Sequence, residues 1–309
     1  MATFTVSEST LSTFWTFVSA DLFEAMTELI FYGILLVLVA FASVLLYRRP
    51  IASNRVLSVS TVVMFILATV QLAARLRSTT AAFRLFYLAM QGELVPQSAV
   101  ANKANGEWVD SQFVEDVLLV TNDLVADGVL IYRCWFIWER NYKVIILPSL
   151  MLFVTTVLSY LSAYQGDYPS AGGPTVDLRF GFALGLLTNI VIVGLTASRI
   201  WMTRAKAVSR NVSDTTIQRY NTALAMVLES GAIICAWTIA YVITRSLCQP
   251  PVWRIFRGGL AQLLNIGPIL IVVRVGLSQT LRGRSTSTST SGTTVSDPNA
   301  TLKSKMETV

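Results

Sequence analysis

The sequence contains no histidine, and that absence removes imidazole at once as metal ligand, haem ligand, general base and activator of a serine. Most intramembrane hydrolase designs go with it. No cofactor is expected, and an enzyme would have to work with carboxylates or a bound metal alone. The acids are too scattered to form such a site, so the protein reads as not an enzyme. Lysine is sparse as well: Lys103, Lys143, Lys206, Lys303 and Lys305 all lie outside the apolar runs, which leaves no amine inside a helix for a retinal Schiff base. The three cysteines, Cys134, Cys235 and Cys248, sit in separate segments with neither redox nor metal spacing and define no disulfide framework. Charge is scarce overall. Only 14% of the 309 residues are charged against 53% hydrophobic, with a mean hydropathy of +0.58, too apolar for a domain with a wetted surface.

What is present is a succession of apolar runs. A bilayer core about 30 Å thick needs roughly 20 mostly apolar residues per helical crossing. Seven runs reach that length: about Leu22 to Leu46, Val56 to Leu76, Phe113 to Trp138, Val144 to Tyr164, Phe180 to Met202, Thr222 to Ser246 and Gly258 to Leu277. No Lys or Arg precedes the first, so it reads as a spanning helix and not a cleaved signal. Pro148 falls in the first turn of its run, where proline is tolerated. Pro268 falls well inside the seventh, where it should kink the helix and free a carbonyl. The expected fold is an all-α polytopic membrane protein: an N-terminal segment 1–20 outside the cytosol, a seven-helix transmembrane domain 21–278, and a disordered Ser/Thr-rich cytosolic tail 279–309.

The net charge of +6 does not mark a nucleic-acid binder, because the cations lie in short clusters between apolar runs. They report topology instead. The alternate loops holding Arg48, Arg49, Arg140, Lys143, Arg204, Lys206, Arg210 and Arg219 are the richer and are expected in the cytosol. Arg254 and Arg257, in a short loop on the other side, run against that trend. The basic loop 203–220 would meet a cytosolic signalling partner or anionic lipid. In the longest outer loop, Thr79 to Glu107, the apolar stretch Ala81 to Met90 is too short to span and is expected as an interfacial helix. No internal repeat is evident between the first three and last three helices, which weighs against a repeat-built transporter.

Charges inside apolar runs cost about 2.5–3.5 kcal/mol each on insertion scales, so each needs a partner or a wet cavity. Asp123 and Asp127 are i,i+4 on the third helix, at a depth similar to Glu229 on the sixth. With Arg133 and Arg274 they are expected to form an intramembrane polar cluster, serving either to pin helices three, six and seven or to act as a switch or ion path. At the other end, Asp21, Glu24 and Glu28 share one face of the first helix, opposite the helix-end residues Arg75, Arg179 and Arg245. That set is either a ligand vestibule or a solvated rim of helix-end charges.

The stretches Asp127 to Trp138, Glu229-Ser230-Gly231-Ala232-Ile233 and Asn265 to Leu277 resemble the uncharacterised seven-span membrane proteins of mushroom-forming (basidiomycete) fungi. The resemblance covers most of the membrane region and implies a multi-pass fold and a fungal source, without implying an activity. G-protein-coupled receptors are similar in topology and in the Ser/Thr-rich tail. The chain departs from them at Ile131-Tyr132-Arg133, where they carry acid-Arg-Tyr, and at Asn265-Ile266-Gly267-Pro268, where they carry Asn-Pro. The functional expectation is a receptor-like or sensory protein with a small-molecule ligand, resident in the plasma membrane or an endomembrane. The alternative is a secondary transporter or channel using intramembrane carboxylates.

Overall fold

The described residues fold into seven long helices because the backbone has no better partner than itself. In an apolar solvent every N–H and C=O must be bonded within the segment, which overrides the strand preference of the many Val and Ile residues. The computed structural model describes residues 8–47, 54–91, 99–167, 178–209, 214–248 and 250–290, and no strand occurs among them. The helices are α1 Glu8–Tyr47, α2 Asn54–Met90, α3 Ala99–Ile137, α4 Tyr142–Asp167, α5 Leu178–Ser209, α6 Asp214–Leu247 and α7 Pro250–Thr290. Hydroxyl residues on these helices satisfy themselves locally: Thr27 donates to the carbonyl of Phe23, Thr69 to Phe65 and Ser43 to Val39. Such i−4 bonds let a polar residue sit on an apolar face at little cost.

The polarity of the bundle is inverted. Val37, Phe153 and Ile30 are about two-thirds exposed, while Asp21, Glu24, Glu28, Glu115, Asn122, Gln262 and Asn265 are fully buried. Among the described residues, five helices, α1, α2, α4, α5 and α6, contain a stretch long and apolar enough to cross a membrane. Buried polar residues of α3 and α7 face the same interior: Glu115, Asn122 and Asp127 on α3, and Gln262 and Asn265 on α7. Sequential helices pack side by side and α7 closes the ring against α1, with further contacts to α2 and α3. Every residue from 257 to 269 is buried, which makes α7 the most enclosed element.

Close approach is permitted by small residues. A Cβ at Gly258 would strike the backbone carbonyl oxygen of Glu24, and one at Gly259 would strike the ring of Trp237. That ring donates its Nε1–H to the carbonyl of Phe256 at 2.8 Å. Alanines 42 and 68 join Leu35, Leu263, Ile266 and Ile269 in the main apolar core between α1, α2 and α7.

Four segments depart from what the sequence suggests. The stretch Ala81 to Met90 is no separate interfacial helix: it continues α2 without a break and packs on the extended start of α3 through Leu85, Leu88, Ala104 and Trp108. Phe17 of α1 meets Trp108 edge-on, so the segment 1–20 enters helix at Glu8 and supports the same projection. Most of the stretch 203–220, expected as a basic loop, is helical, because α5 runs to Ser209 and α6 starts at Asp214; residues 210–213 lie outside the described residues. Helix α7 likewise runs on to Thr290, into the Ser/Thr-rich stretch, since propagating an existing helix through serine costs far less than nucleating a new one. Residues 291–309 lie outside the described residues.

Candidate functional site

Two polar regions lie inside the bundle, one at each end. The first is at the end where α1, α3 and α7 begin and α2 finishes. Asp21, Glu24 and Glu28 recur at helical spacing on α1 and therefore share one face. Antiparallel packing sets Arg75 of α2 against that face, and the Gly258 approach brings in Arg254 and Arg257 of α7. Arg75 pairs through Nη2 with Glu24 at 2.5 Å and with Glu115 of α3, and its Nε lies 3.4 Å from Glu28. Arg257 reaches Glu24 at 3.3 Å and Glu115 at 3.2 Å, and also pairs with Asp116. Arg254 pairs with Asp21 and packs over the ring of Phe17.

This ionic clamp joins four helices through shared guanidinium groups. Arginine suits the task because its planar fork serves two carboxylates at once in a low dielectric. The polar line continues inward. Gln262 donates to Glu28 at 3.0 Å, and the side chains of Asn122 and Asn265 both donate to the carbonyl of Ala261.

The structure thus brings together Asp21, Glu24, Glu28 and Arg75 but seals them from solvent, so they are not a solvated rim. Arg245 stays outside and stacks over Trp253 at 3.9 Å from the ring centre. The side chain of Arg179 lies outside the described residues. Glu115, Asp116, Arg254 and Arg257 complete the clamp, and the sequence reading leaves them out. A signal for two of them exists: Arg254 and Arg257 are the cations on the poorer side of the loop count, an anomaly that buried pairing explains.

The second region lies toward the end where α3 finishes. A cavity of ≈ 70 Å³ opens between α3, α5, α6 and α7, lined by Leu130, Arg133, Asn189, Thr196, Ser230 and Gly267 among others. Arg133 donates from Nη1 to the carbonyl of Pro268 at 3.0 Å, and its Nη2 is buried with no hydrogen-bond partner among the described residues. Its partner is thus a carbonyl of the proline-bearing helix and not a carboxylate. Asp127 is buried one and a half turns away, with Oδ2 unpartnered among the described residues. Asp123 borders two smaller voids of ≈ 10 Å³ each.

Glu229 lies on the exposed side of α6, while Asp127 is buried. Equal depth along two helices does not imply that the residues face each other. The side chain of Arg274 is outside the described residues. Arg199, a further cation near this end, pairs with Glu139 and lies over Trp138. No cluster of metal-ligating side chains occurs among the described residues.

Compared with known proteins, the chain matches no family model, no curated protein and no solved structure.

Proposed function

We propose that this chain is a receptor-like, sensory seven-helix membrane protein. It crosses the bilayer seven times, with the start of α1 outside the cytosol and the Ser/Thr-rich tail inside, in the plasma membrane or an endomembrane. The likeness to the seven-span proteins of mushroom-forming fungi fits this reading.

The observation that carries it is the asymmetry of the bundle. One end is held by the Arg75, Arg254 and Arg257 ion pairs, while the other is hollow, with α3 and α7 joined there by the bond from Arg133 to Pro268. Because α3 and α7 belong to both ends, a small ligand that rearranges the clamp has two rigid elements through which to bias the cavity end. That end, with Arg204 and Lys206 on α5, would meet a cytosolic partner and the lipid surface, and no nucleic acid.

The test needs no ligand. Spin labels at the exposed positions Met202 and Ala225, in a cysteine-free background, report the α5–α6 separation in lipid nanodiscs. Glu24→Gln at the clamp is expected to move or broaden that distance distribution, as is Arg133→Ala beside the cavity. A folded Glu24→Gln protein with the wild-type distribution would defeat the reading, because the two ends would then be uncoupled.

A further inference from the structure

Three voids line up along α3 and share side chains. The first, of ≈ 10 Å³, touches Asp116 at the clamp and is bounded by Ser159, Gly181 and Asp123. The second, of similar size, takes over at Asp123 and Phe182 and reaches Asn189 and Thr238. Asn189 in turn lines the third, the ≈ 70 Å³ cavity that holds Arg133. A void of this smaller size holds about one water, and the largest holds several, provided that polar partners are present. Each void has them.

Asp123 is the single carboxylate common to the two narrow voids, and it makes no ion pair among the described residues. Of the elements around it, α4 contributes Thr155 and Ser159, α5 contributes Gly185 and Asn189, α6 contributes Thr238, and α7 contributes Leu260 and Leu264. None of these is charged. The titratable and charged groups nearby are Asp127 on the same helix, Asp116 with its partner Arg257 at the clamp, and the buried Tyr241 of α6, which packs edge-on against Phe182. Buried Thr155 Oγ1 has no hydrogen-bond partner among the described residues, which leaves one more hydroxyl for a water.

From this geometry we infer that the bundle contains a proton path running from Asp116 through Asp123 and past Asn189 to the Arg133 cavity, with Asp123 as the carrier group. A proton arriving as hydronium in the first void forms an O–H bond at the Asp123 carboxylate and leaves its water behind. It then passes to a water in the second void, and one positive charge has moved. A metal cation is the poorer occupant, because one carboxylate and one water beside a few neutral oxygens fall short of a coordination shell. The inference does not rest on the receptor-like reading. It requires only that the helices cross a bilayer, so either can fail alone.

The experiment uses the purified full chain in liposomes with a trapped pH-sensitive dye, driven by a potassium diffusion potential. Wild-type vesicles are expected to acidify faster than protein-free ones, and Asp123→Asn to slow that acidification by about a hundredfold or more, the lower end of what a positioned proton-transfer group contributes. Gly185→Val is a second variant. A Cβ there stands 3.9 Å from Asp123 Oδ2, so the larger side chain fills the second void and should also block flux while leaving the carboxylate in place. Glu107→Gln, at the exposed pair with Arg84, should leave the rate unchanged. Three results would each overturn the path: wild-type acidification no faster than in protein-free vesicles, full flux in Asp123→Asn or Gly185→Val, or a rate that follows sodium in place of pH.

Discussion

Arg257 Nη1 of the last helix lies 3.3 Å from Glu24 Oε1 of the first, and both side chains are buried. The same guanidinium reaches Glu115 at 3.2 Å, so α1, α3 and α7 are joined by one cation. Arg75 repeats the arrangement from α2. Removing one member of such a set leaves buried charge without compensation, which costs far more than the pair itself contributes.

Arg75→Ala is therefore expected to destabilise the protein by about 3–5 kcal/mol. Arg84→Ala, which breaks an exposed pair with Glu107 at 2.7 Å, should cost no more than about 1 kcal/mol. Thermal unfolding of the two variants in detergent checks the contrast. Similar losses in both would mean that the clamp does not hold the helices together.

Gly258 tests the packing that creates the clamp. An alanine there meets the carbonyl oxygen of Glu24, a backbone atom that cannot swing aside, so Gly258→Ala should cost about 1–3 kcal/mol. At Gly106 on α3 nothing stands within 4 Å of an added Cβ. Gly106→Ala should stabilise the helix by about 0.5–1 kcal/mol. Melting temperatures of opposite sign relative to wild type are the expected readout.

Orientation is open to a covalent test. The acceptor sequences Asn211-Val212-Ser213 and Asn299-Ala300-Thr301 lie outside the described residues, and both face the cytosol under the proposed topology, where glycosylation machinery is absent. They should stay bare in a eukaryotic host, whereas an acceptor introduced between residues 168 and 177 should be modified. A glycosidase mobility shift that disappears with Asn211→Gln or Asn299→Gln would invert the bundle.

Much of the architecture was legible in one dimension. The apolar runs are local and long, and a backbone denied water has the helix as its economical answer, so each run became one helix. Where the reading stopped too early, at Leu76 and again at Leu277, the residues beyond are less apolar but still extend α2 and α7. Hydropathy measures the solvent, and a helix does not end where its solvent changes.

The sequence by itself determined that the chain is helical, that its charges are too few to be wasted, and that Asp21, Glu24 and Glu28 fall on one face. Only the tertiary structure decided which cations they meet. Pairing depends on the rotation of each helix about its axis and on how closely two axes approach, and neither is written in any single segment. Glu229 matches Asp127 in depth yet lies on the exposed side of α6. Arg254 and Arg257, misplaced by loop counting, turn inward because Gly258 lets α7 rest on the backbone of α1.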